Sequence, residues 1–185
     1  MKHSLTRAAL CGIIIAAAPS PTLAQNGSRG AAAMDARKSI VENLTNSADH
    51  TTLVKILKAA GLIDTLSGPG PYTIFAPTNA AFLALNSGAI DMTANMLRPE
   101  AKAMTAAIMA NHVVAGRITL KDIIAKAKRN AGVATYVTLG GATLQFKKFG
   151  DVWVVLSGQH TPQIIRSDIA QSNDILHDVD ALIGV

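Results

Sequence analysis

Gly70-Pro71-Tyr72-Thr73-Ile74-Phe75-Ala76-Pro77-Thr78-Asn79-Ala80-Ala81-Phe82 is the stretch on which the reading of this chain turns. Proline fixes φ and glycine permits positive φ, so the preceding Ser67-Gly68-Pro69 together with Gly70-Pro71 forms a tight loop. Residues 72–76 then read as a short apolar strand, with Ile74 and Phe75 filling an interior. Thr78 and Asn79 are expected to satisfy the free N–H groups of a following helix that carries Phe82, Leu83 and Leu85.

On the N-terminal side, Ile40, Val41 and Leu44 give one helical face. Leu53, Ile56, Leu57 and Ala60 follow the i, i+3, i+4, i+7 spacing of a second helix, with Thr51 or Thr52 as its cap and Gly61 near its end. On the C-terminal side come helical stretches around 92–97 and 100–110, a short strand at 112–114 and a helix over 120–128. Lys126, Lys128 and Arg129 gather where that helix ends; a solvated cap that complements the helix dipole is the expected use, and a polyanion site is the alternative. From about Val133 the pattern changes. Val137, Leu139, Ala142, Leu144 and Phe146 alternate with polar residues, and Gly140-Gly141 signals a hairpin. Residues 152–156 are apolar on both faces, as in a strand covered on both sides, and shorter strands follow near 163–165 and 175–179. Helices first and antiparallel strands second make the fold class α+β.

The N-terminus has the parts of a secretory signal. Lys2 and Arg7 precede an apolar run over 8–18; Pro19 and Pro21 break it, and Thr22-Leu23-Ala24 offers a small-residue cleavage site. Residues 1–24 are therefore expected to be a signal peptide, 25–35 a flexible leader and 36–185 one domain. The apolar run is about half of the roughly 20 residues a membrane span needs, so no membrane anchor is expected after cleavage. Cleavage removes the chain's single cysteine, Cys11, so the domain must hold on its hydrophobic core alone. The remaining balance is mildly basic, which does not argue for nucleic acid.

The chain has no His-Glu-x-x-His, no Gly-x-Ser-x-Gly and no phosphate-cradling glycine loop leading to a lysine, so no enzyme is expected. His177, Asp178 and Asp180 invite a metal, but strand alternation sends the two carboxylates to one face and the imidazole to the other, so none is expected. His112 and His177 read as core-edge histidines bonded to backbone or to a neighbouring side chain.

Asp168-Ile169-Ala170-Gln171-Ser172-Asn173-Asp174-Ile175-Leu176-His177-Asp178-Val179-Asp180 forms a second motif. With the first, it resembles the paired signature motifs of the fasciclin domain, a secreted adhesion module. Asn111-His112-Val113-Val114-Ala115-Gly116 is similar to the family's central tyrosine–histidine segment, and residues 53–66 to its early helix. The resemblance implies a fasciclin-like domain with N-terminal helices packed on an antiparallel β-wedge. It implies a secreted or periplasmic, non-enzymatic adhesion or matrix-interaction module that binds protein or polysaccharide at a cell surface.

The same resemblance makes His112, Asp168 and Ile169 the candidate partner-binding residues. The Asp-Ile element is implicated in integrin recognition by animal members; the simple signal and short single-domain layout suggest a bacterium and a different partner. Asn111 stands where the family often has tyrosine, Asp174 replaces a usual glycine and Asp178 a usual apolar residue. A charge at Asp178 implies a wetter strand face or a partner for it. Some fasciclin-family proteins carry carotenoids. The alternative function is therefore a soluble carrier of a carotenoid or other long apolar ligand, in a groove formed by Phe82, Met92, Met96, Leu97, Met104 and Met109. Core packing is the competing use of these methionines. No other cofactor is expected, and the oligomeric state is not legible.

Overall fold

The computed structural model describes residues 34–86, 90–158, 160–172 and 174–184. The expected signal peptide and residues 25–33 of the expected leader lie outside the described residues.

A capping box opens α1 (Ile40–Asn46): Ser39 accepts from Glu42 N–H and the Glu42 carboxylate accepts from Ser39 N–H. A 3-10 turn over Ala48–His50 leads into α2 (Thr51–Ala60), which ends at Gly61. There φ is +74°, a left-handed conformation that a side chain would strain. Then come α3 (Ile63–Leu66), β1 (Tyr72–Pro77), α4 (Asn79–Leu85), α5 (Met92–Met96), α6 (Lys102–Ala110), β2 (Val113–Ala115) and α7 (Leu120–Arg129). β3 (Val133–Val137), β4 (Thr143–Phe149), β5 (Val152–Leu156), β6 (Ile164–Ala170) and β7 (Ile175–Val179) complete the chain.

The strands form a four-stranded sheet ordered β2-β1-β7-β6 and a three-stranded antiparallel sheet ordered β3-β4-β5. Isolated bridges from Val114 to Thr138 and from Val154 to Gln163 tie the two sheets together. All strand pairs are antiparallel except β1–β7, which runs parallel from Thr73↔Ile175 to Pro77↔Val179. The two quoted motifs are thus neighbours in the middle of one sheet. Parallel central strands need cover on both faces, and these have it. Ile74, Ala76 and Leu176 face a core made with α1, α2, α4, α5 and α6, while Phe75 and Val179 face a second core made with α7 and the three-stranded sheet.

Three local expectations change. The strand at 152–156 is an edge of its sheet, so Val152 is 42% exposed rather than covered on both sides. Thr51 and Thr52 lie in the first turn of α2 and do not cap it, and Thr78 makes no side-chain capping bond to α4. Asn79 instead turns to the other helix. Its Oδ1 accepts from Thr52 N–H at 3.0 Å and from Thr51 Oγ1 at 3.2 Å, while Nδ2 donates to Ala48 O at 2.8 Å. Capping a neighbouring helix across space satisfies the same orphan donors as a local cap and also fixes the angle between α2 and α4.

Candidate functional site

The second motif places Asp174 just before β7 and the adjacent His177 and Asp178 on it. Asp178, at 0% exposure, faces the helical core. Its Oδ1 accepts from His50 Nε2 at 3.1 Å, Arg166 pairs with its Oδ2, and Arg166 also reaches Asp49 at 3.5 Å. Because the carboxylate can only accept, His50 donates from Nε2, and its Nδ1 is hydrogen-bonded to the Ser47 hydroxyl at 2.8 Å. Ser47, His50 and Asp178 have the composition of a nucleophilic triad. However, Ser47 is 2% exposed and also ends α1, so its hydroxyl cannot meet a substrate. The constellation is a buried, charge-compensated joint between α1, α2, β6 and β7. Of the two consequences expected of a charge at Asp178, a partner is the one found, in His50 and Arg166.

His177 points to the opposite core and stacks on Phe75 at 5.3 Å. Its Nε2 donates to Ile118 O at 2.9 Å and its Nδ1 accepts from Asp168 N–H at 3.3 Å. His112 is held in the reverse way: Nδ1 donates to Ile108 O at 2.8 Å and Nε2 accepts from Ile183 N–H at 2.9 Å. Each ring is locked in one neutral tautomer, since a second proton would face an amide N–H. Burial pushes both down from the ordinary histidine value, His112 to about 4. Burial also raises the carboxyl of Asp174, whose Oδ1 accepts from Tyr72 N–H at 2.7 Å at the start of β1. Among the described residues no group of three or more His, Cys, Asp or Glu could hold a metal.

The Fasciclin domain family model matches residues 48–185. The chain belongs to the fasciclin domain family. Protein sll1483 of Synechocystis is 35% identical over 181 residues, which cover 97% of this chain and 92% of that one. Immunogenic protein MPB70 of Mycobacterium bovis is 34% identical over 122 residues, covering 63% of this chain and 58% of the relative. Among solved structures, a FAS1 domain pair from the insect cell adhesion molecule fasciclin I superposes with a TM-score of 0.69 over 78% of this chain and 50% of that one. At 16% identity, that likeness establishes the fold alone.

Within this fasciclin domain the candidate binding residues have different fates. His112 is 2% exposed with both nitrogens engaged, so it offers a partner no surface, contrary to the expectation from the family's adhesion segment. Asn111 beside it accepts from Thr138 Oγ1 at 3.2 Å, and a Cβ at Gly140 would collide with its Oδ1. The asparagine therefore seats the β3–β4 hairpin close against the end of α6. Asp168 is exposed and has φ +58°, in a bulged part of β6. Its Oδ1 accepts from Leu120 N–H at 2.8 Å, capping the first turn of α7 from another strand. Ile169 is half-buried and packs on the helical core.

The six residues expected to form an apolar groove are split. Phe82, Met96 and Met109 are 2%, 1% and 1% exposed inside the helical core, whereas Met92, Leu97 and Met104 lie at the surface. No helix among the described residues is long and apolar enough to cross a membrane.

The cationic end of α7 also differs from expectation. Lys126 donates to Thr135 O and lies 3.9 Å from the centre of the Tyr136 ring, so it staples α7 to β3 rather than pointing into solvent. An open groove of about 490 Å³ runs beside it, lined by residues of α7 together with Gly132, Lys148 and Trp153. Periodicity alone did not bring these residues together; the signal in the sequence was a lone tryptophan within a lysine-rich stretch.

Proposed function

We propose that this fasciclin domain is a non-enzymatic, secreted adhesion or matrix-interaction module that binds protein or polysaccharide at a cell surface. One observation carries the reading: three histidines and the buried carboxylate of Asp178 are consumed by internal partners. Every ring nitrogen of His50, His112 and His177 is bonded within the protein, and the Asp178 carboxylate is shared between His50 and Arg166. None is free to carry a proton to a substrate. Family membership, the adhesion molecule that shares the fold and the signal-like N-terminus support an extracellular binding role.

The test is binding of the labelled protein to the envelope or extracellular polysaccharide of the producing organism. Saturable binding above that of an unrelated protein of equal charge is the expected result. Binding no better than that control overturns the reading.

A further inference from the structure

The positive charge of this chain is unevenly distributed. Residues 120–156 carry six of the seventeen Lys and Arg side chains but two of the twelve Asp and Glu. One of those acids, Asp122, is used in the capping box of α7 with Thr119, and the other, Asp151, is fully exposed, 3.6 Å from Lys148. The groove beside α7 lies in this basic segment.

Its floor and rim follow from the strand register. Lys148 and Trp153 are direct partners on β4 and β5, two residues beyond the Phe146↔Val155 pair and so on the same face of the sheet. Phe146 and Val155 are fully buried under α7, and Trp153 packs against the margin of that core while staying partly exposed. The sheet thus continues past its covering helix with an indole on show. Ile124 and Ala127 supply the apolar wall on α7, and Lys128 stands on the same side. Lys147 also lines the groove, but its ammonium lies 5.2 Å from the Phe149 ring. Among the described residues no acidic side chain lines the groove. Lys128 and Lys148 therefore flank a half-exposed indole in a cleft of one charge sign, which raises the local concentration of anions.

We infer that this groove binds a uronic-acid polysaccharide, with the apolar face of a sugar ring on Trp153 and its carboxylates at Lys128 and Lys148. The inference rests on the adhesion reading and names the partner class for it. Charge complementarity requires an anion, and the indole between the two ammonium groups offers a flat apolar face to the C–H groups of a pyranose. A neutral apolar ligand would leave the Lys128 ammonium unused and Lys148 with only the solvent-exposed Asp151.

Trp153 is the only tryptophan in the chain, so its fluorescence reports on the groove directly. Titration of the full chain with polygalacturonate at low salt is expected to give a saturable change in emission. That change weakens with added salt and is absent with the carboxyl-reduced polymer. The double substitution Lys128→Gln/Lys148→Gln is expected to weaken binding about tenfold, whereas Lys55→Gln/Lys58→Gln on α2 removes the same charge and leaves it within about twofold. Equal weakening by both pairs overturns the inference, because net charge alone would then explain binding. Binding without a change in Trp153 emission also overturns it, as does tighter binding to dextran sulfate, an oligonucleotide or anionic vesicles. Envelope binding that persists while polygalacturonate fails would remove the groove assignment and leave the adhesion reading standing. Loss of envelope binding with polygalacturonate binding intact would do the reverse.

Discussion

The β1–β7 centre and the α7–β5 face of this domain use polar chemistry in opposite ways. Around β1 and β7, His50, Asp178, His177, Thr73 and Asp174 are buried, and each has a named partner within the chain. On the α7–β5 face, Lys128 and Lys148 stand over a groove, and the one acid near Lys148 is itself in solvent. The first arrangement fixes geometry, because a buried polar group left unpaired costs stability. The second leaves charge available to a ligand. These buried polar residues, among them Asp174 and Asp178 where the chain departs from the family pattern, thus act as joints of the fold, while the groove proposed for binding lies away from them.

The contrast breaks first at Asp178. Replacing it with Ala leaves the fully buried His50 Nε2 without its carboxylate and leaves the partly exposed Arg166 with Asp49 alone. A loss of about 3–5 kcal/mol in urea unfolding is expected. A loss near zero would mean that the joint does not hold the helices to β7.

Acid should act next. An unfolded histidine takes a proton near its ordinary value of 6.5, whereas folded His112 refuses it until about pH 4. Its contribution is therefore complete above about pH 6.5 and falls as the pH drops towards about 4, by on the order of 3 kcal/mol. His177 is lowered too and adds to the slope in the same direction; Asp174 is raised and opposes it. Denaturant unfolding across this window should show stability declining with acid, and His112→Gln should flatten the decline. An unchanged slope in that variant would place the acid sensitivity elsewhere.

A smaller effect is expected at Asn79. Its replacement by Ala removes the cap of α2 and should cost about 1 kcal/mol, read as a lowered melting temperature. Asp168→Asn should lie within about 0.5 kcal/mol of wild type, since asparagine accepts the same bond from Leu120 N–H and tolerates φ +58°. The smallest change in stability, again within about 0.5 kcal/mol, is expected for Lys128→Gln/Lys148→Gln.

Much of the fold was legible because its signals are local. The loop at Ser67–Pro71, the helical spacing of Leu53 to Ala60 and the alternation around Gly140-Gly141 each announce one element, and all three elements are present. What was not legible depends on contacts between distant residues. Asn79 looked like a cap for its own helix because a sequence shows only the nearest helix, yet its partners lie 27 and more residues upstream. The buried Ser47–His50–Asp178 joint pairs positions 128 residues apart, and no spacing rule could link them. Phe82, Met96 and Met109 were separated from Met92, Leu97 and Met104 only by the direction each short helix faces. The groove stayed hidden for a related reason: Trp153 and Lys148 meet only through strand register, and Lys128 joins them only once α7 packs on the sheet.

The most direct test compares Asp168→Asn with Lys128→Gln/Lys148→Gln in the same polygalacturonate titration, followed by Trp153 emission. Wild-type binding in the first variant and a loss of about tenfold in the second is the predicted result. Loss of binding in Asp168→Asn, with the lysine variant unaffected, would return the binding surface to the signature motif and contradict the account.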